Sequence, residues 1–70
     1  MNFRQASVLQ EVYESLGIGH KDLIAGVEHD IIFTNIMAEE YMYLDEETKE
    51  KLDGAGFHLS TEYDCVCMFV

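Results

Sequence analysis

Proline is absent from this chain, cysteine occurs twice, and lysine and arginine together number only four. With no proline, no low-complexity tract and no internal repeat, no linker stands out, so residues 1–70 read as one domain. No run approaches the ~20 apolar residues of a membrane span, and no membrane partner is expected. The N-terminus lacks the basic-then-apolar order of an export signal, so the two cysteines point to a reducing, intracellular setting. Catalytic motifs are missing too, so a functional reading has to rest on surface character.

The shortage of bases is the main departure from an ordinary chain. Fourteen acids against four bases leave a net charge of −10. Residues 36–70 carry nine acids and two bases, whereas residues 1–35 carry five and two. Such a surface repels nucleic acid and anionic membranes and attracts basic partners. At 49% apolar and 26% charged, the composition is that of a globular domain and not of an acidic tail. A chain this short buries only about 60% of its unfolded surface, so the core is thin.

Asn2 suits a helix N-cap, with Gln5 as its capping-box partner. Phe3, Ala6, Leu9, Val12, Tyr13 and Leu16 then recur at helical spacing, and Gly17 followed by Ile18 suits a glycine C-cap. The spacing predicts a helix over 3–16. The segment GHKDLIAG reads as a single helical turn between two glycines, burying Leu23 and Ile24. Residues 27–36, rich in β-branched side chains and apolar on both faces, read as a strand covered on both sides. Asp45 suits the N-cap of a second helix, with Glu46 and Glu47 in the first turn where the helix dipole favours negative charge. Leu44, Thr48, Leu52 and Ala55 would line its inner stripe, and Gly54 or Gly56 would end it. FHLS and YDCVCMFV read as strands around a turn at Ser60-Thr61-Glu62. In the last strand Tyr63, Cys65, Cys67 and Phe69 share one face, and Val66, Met68 and Val70 the other. Being apolar on both faces, it is expected at the centre. The sum is a single small α+β domain ordered α-β-α-β-β. Its helices pack on a three-stranded antiparallel or mixed sheet of order 1-3-2, with the C-terminal strand antiparallel to both neighbours.

Four constellations invite a chemical reading. Cys65 and Cys67 share a strand face, and only His58 could join them, which is short of the four ligands of a structural zinc site. Two buried core thiols are the better account, and parallel side-chain directions disfavour a bond between them. Acidic and apolar surroundings should raise a thiol pKa, which argues against a reactive thiolate. In Glu28-His29-Asp30 a strand would point His29 away from both acids, and no nucleophile or oxyanion donor accompanies them. The run Asp45-Glu46-Glu47-Thr48-Lys49-Glu50 lacks the central glycine of a calcium loop. No cofactor, metal or enzymatic activity is expected.

The fourth constellation is MAEEYMYLDEETKE, residues 37–50, with six carboxylates and one base around Tyr41, Met42, Tyr43 and Leu44. Dense like charge costs stability, and a small domain has little to spare. Tyrosine and methionine are residue types that interfaces favour. Carboxylates three or four residues apart on a helix lie about 5–6 Å from each other. Same-face strand neighbours lie roughly 6–7 Å apart. DNA shows a phosphate every ~3.4 Å per strand along its axis, each displaced sideways by the helical turn. Side chains so spaced can meet the lysines and arginines that grip phosphates, because arginine pairs bidentately with carboxylate and phosphate alike.

In size, charge and single-domain make-up the whole chain resembles the small acidic inhibitors that phages and mobile elements direct against host defence, the anti-CRISPR and anti-restriction DNA mimics. The resemblance rests on no shared motif. It implies a non-enzymatic inhibitor in the cytoplasm of a bacterial host, monomeric or weakly homodimeric. Its target would be a basic nucleic-acid-binding protein, such as a CRISPR surveillance complex or nuclease. Glu39, Glu40, Asp45, Glu46, Glu47 and Glu50 would supply charge and Tyr41 and Tyr43 contact area, with Glu62 and Asp64 extending the surface. The alternative is a non-enzymatic interaction or regulatory module in which Tyr41, Met42 and Tyr43 meet a second copy or a host subunit and the acids serve solubility.

Overall fold

The computed structural model describes residues 1–69. Its first helix, α1 (Phe3–Ser15), is closed at both ends by local hydrogen bonds. Asn2 Oδ1 accepts from the Gln5 N–H at 2.8 Å while Gln5 Oε1 accepts from the Asn2 N–H at 2.9 Å. At the other end Gly17 takes φ 75°, which lets its N–H reach the Glu14 carbonyl and the Ile18 N–H reach that of Tyr13. Glycine adopts this left-handed turn without a Cβ clash, and the following Ile18 is buried. Leu9, Val12 and Tyr13 form the buried stripe of α1.

Four strands follow, interrupted by two helices: β1 (Ile24–Glu28), β2 (Ile31–Met37), α2 (Ala38–Met42), α3 (Glu46–Gly54), β3 (Phe57–Ser60) and β4 (Cys65–Phe69). The sheet order is β1-β2-β4-β3 and every neighbouring pair is antiparallel. The expected arrangement of three strands, with the C-terminal one between the other two, is therefore present as β2-β4-β3. The sheet is nevertheless four-stranded and not three-stranded, because β1 adds to the outer side of β2.

Residues 24–28 overturn the helical turn expected in GHKDLIAG. Their backbone is paired with β2 from Ile24↔Thr34 to Glu28↔Ile31. Leu23 is half-buried against the core as expected, but Ile24 is 38% exposed at the sheet edge. The strand expected over 27–36 is the end of β1, a two-residue turn and most of β2. His29 makes that turn at φ 53°, a conformation histidine adopts more readily than β-branched residues do. The last strand starts at Cys65 and not at Tyr63, since residues 61–64 form a longer turn in which Asp64 has φ 59°. The placement of Val70 on the face of Val66 and Met68 lies outside the described residues.

The helices cover one face of the sheet. Leu9, Val12, Tyr13 and Ile18 from the α1 region and Leu52 and Ala55 from α3 pack on Ile32, Ile36, Phe57, Val66 and Met68. Burying each large side chain of this kind is worth about 1.5–3 kcal/mol. Two buried hydroxyls fix the layers. Tyr13 Oη donates to the Leu23 carbonyl at 2.7 Å and accepts from the Asn35 N–H at 2.6 Å. Thr34 Oγ1 donates to the Val66 carbonyl at 2.8 Å and accepts from the Ile36 N–H at 3.2 Å. Both serve an irregularity where residues 34–36 of β2 stand opposite Val66 alone. There the hydroxyls replace ladder partners that the bulge removes.

Candidate partner-binding surface

The acid-rich segment begins at the end of β2 and turns at once into α2. Glu40 Oε1 accepts from the Met37 N–H at 3.0 Å, so this half-buried acid caps the short helix. The Ala38 N–H donates to the Asp64 carbonyl at 3.0 Å, which fastens the start of α2 to the β3–β4 turn. Glu39 and Glu40 therefore sit at the same end of the molecule as Glu62 and Asp64, a proximity that sequence distance conceals.

Asp45 begins α3. Its Oδ1 accepts from the Thr48 N–H at 2.8 Å, and the Thr48 hydroxyl together with that N–H holds its carboxyl below the ordinary range. Leu52 and Ala55 point inward and Thr48 is half-buried, as the narrow stripe predicts. Glu46, Glu47 and Glu50 then fall on the outer side of α3 and are exposed. Asp53, not singled out from the sequence, lies on that same side; the i, i+3 spacing from Glu50 is the signal that could have found it.

Two of the four bases are taken up inside the fold. Lys51 Nζ donates to Glu11 Oε1 on α1 at 3.2 Å, an ion pair that raises the lysine pKa. Lys49 Nζ lies 3.8 Å from Glu46 Oε1 and 5.3 Å from the centre of the Tyr41 ring. Tyr41 is thus half-buried against the core, with its ring occupied by a cation. Tyr43 differs: it is 81% exposed, and Met42 beside it is 65% exposed.

The other constellations resolve differently. Cys65 and Cys67 are free and buried, their sulfurs 3.7 Å apart, and burial pushes the Cys67 thiol up to about 12. His58 stands opposite Cys67 in the β3–β4 register, but its ring stacks on Phe69 at 4.8 Å. Among the described residues no group of three or more His, Cys, Asp or Glu side chains is placed to hold a metal ion. Glu28, His29 and Asp30 lie exposed at the β1–β2 turn. A cavity of about 50 Å³ between α1 and α3, lined by Val12, Ser15 and Thr48 among others, is far below the about 300 Å³ at which small-molecule sites begin. No helix among the described residues is long and apolar enough to cross a membrane.

Comparison with protein-family models, with curated proteins and with solved structures gave no significant match.

Proposed function

We propose that this protein acts by binding, without catalysis, to a basic nucleic-acid-binding surface of another protein, its carboxylates standing where phosphates would dock. The observation that carries this reading is the set of exposed acids on adjoining elements: Glu39 on α2, Glu46, Glu47 and Glu50 on α3, and Glu62 and Asp64 on the turn fastened to α2. Within the fold Lys49 and Lys51 are engaged by Glu46 and Glu11, which leaves most of these carboxylates for an outside partner. Glu40 and Asp45 contribute charge from capping positions, and Tyr43 supplies exposed contact area. On the resemblance to small acidic inhibitors of host defence, the target would be a basic groove of a CRISPR surveillance complex or nuclease in a bacterial cell.

The test is capture of a partner from a bacterial lysate, salt elution, and competition with duplex DNA. A DNA-binding protein that elutes with salt and is displaced by duplex supports the reading. A partner held equally at high salt and indifferent to DNA overturns it.

The exposed pair Met42 and Tyr43 favours a second reading, an interaction module that meets a second copy or a host subunit through apolar contact. Sedimentation at two concentrations tests self-association, and a partner interface insensitive to salt favours the second reading over the first.

A further inference from the structure

Among the described residues, the face of the sheet opposite the helices carries no helix. Its side chains follow from the register. Phe33 stands beside Cys67, which stands beside His58, and Gly26 stands opposite Phe33 on β1. Ile31 pairs with Phe69 on one side and Glu28 on the other. Tyr63 reaches back from the β3–β4 turn, and its ring meets Phe33 edge-on at 4.8 Å. The two cysteines are buried beneath this aromatic layer, while Phe69 is 65% and Tyr63 41% exposed. An exposed apolar cluster rimmed by polar groups marks an interaction surface.

Charge says what kind of partner fits. Among the described residues no strand contains a lysine or arginine. The charges of Glu62 and Glu28 both bear on Tyr63 and, with partial burial, raise its hydroxyl pKa. The chain itself contains the filled version of this arrangement: Tyr41 has carboxylate-paired Lys49 over its ring. Tyr63 has the ring and the carboxylates, and no Lys or Arg side chain lies over it among the described residues. A second copy docked by the same sheet face would bring the same acids and no strand lysine or arginine, and would meet a net charge of −10 with −10.

We propose that the uncovered sheet face docks an arginine-bearing segment of a partner protein, the guanidinium lying over Tyr63 and Phe33 between Glu28 and Glu62. Arginine suits the place better than lysine, because its planar group stacks on rings while its fork pairs with carboxylates. Gly26 supplies the room: a Cβ built there meets nothing within 4 Å. This face lies away from α2 and α3 and shares only Glu62 with the surface proposed above, and the proposal goes beyond that function without depending on it.

The test uses the full chain and a blocked peptide of alternating arginine and glycine, followed by NMR at physiological salt. Shifts are expected at Gly26, Phe33, His58, Tyr63 and Phe69. The lysine–glycine counterpart is expected to bind more weakly. Tyr63→Leu, which keeps apolar bulk and removes the ring, is expected to weaken the arginine peptide about tenfold. Gly26→Ile fills the open space with a good strand former, so it melts no lower than the parent and yet loses binding by a similar factor. The triple variant E46Q/E47Q/E50Q keeps the sheet-face shifts, which separates this proposal from the first. Shifts confined to α2 and α3, equal affinity for the lysine peptide, or undiminished binding by Gly26→Ile would each overturn it. So would a dimer abolished by Phe69→Glu, since a second copy would then own the face.

Discussion

The two faces of this sheet start from similar side chains and end in different surroundings. Along β4, Val66 and Met68 point into the helices, while Cys65, Cys67 and Phe69 point to the bare side. The first face is closed by α1 and α3 and holds the domain together. The second is closed only by a layer of Phe33, Tyr63, His58 and Phe69, itself partly in water. An apolar strand thus need not have two covered faces.

Substitutions can sharpen that contrast. On the covered face Phe57 is buried, and Phe57→Ala should cost about 3–5 kcal/mol, enough to unfold much of a small domain. Urea titration followed by circular dichroism reads this directly, and a loss below about 1 kcal/mol would mean that the core is elsewhere. The thiols probe how tightly the thin layer closes. With Cys67 pushed up to about 12, alkylation of the native protein near pH 8 should run on the order of a thousandfold slower than that of an ordinary cysteine. Mass spectrometry of a time course measures it, and rapid double labelling would show that the layer opens freely.

The acid cap of α3 gives a smaller effect with a defined sign. The folded Asp45 carboxyl titrates below its ordinary value of 3.8, so its contribution is present above that pH and is lost as pH falls through the lower folded value. Asp45→Asn keeps a capping side chain, so it should leave the melting temperature at pH 7 nearly unchanged and flatten the acid limb of the pH–stability curve. An unaltered acid limb would mean that other carboxylates control it. The smallest effect belongs to the bare face: Phe69→Ala should change stability by less than about 1 kcal/mol, because most of that side chain is already in water. A loss as large as that of Phe57→Ala would erase the distinction between the faces.

Elements specified by neighbouring residues were legible in the sequence. Asn2 with Gln5, Gly17 with Ile18, and Asp45 each act within a few positions of where they stand, so both ends of α1 and the start of α3 could be read. The central place of β4 followed from its apolar character on both faces. The edge strand β1 could not be read, because Gly19 and Gly26 around a short apolar run suggest a turn, and its pairing depends on β2. The β1–β2 turn was hidden because His29 and Asp30 make it without glycine or proline. For the candidate surface, the charge was evident, but the sequence did not separate a capping acid such as Glu40 from outward ones such as Glu47. Nor did it separate Tyr41, under Lys49, from the exposed Tyr43. Which sheet face would go uncovered depends on where α1 and α3 dock, and alternation along a strand cannot say.

The central claim is that exposed carboxylates on α2, α3 and the adjoining turn replace phosphates in a basic groove. The most direct test measures the affinity of the captured partner for the parent chain and for E46Q/E47Q/E50Q across a salt series. A loss of about tenfold or more at physiological salt and a shallower salt dependence are expected in the variant, as when fewer charges are neutralised on binding. Equal affinities with parallel salt slopes would contradict it.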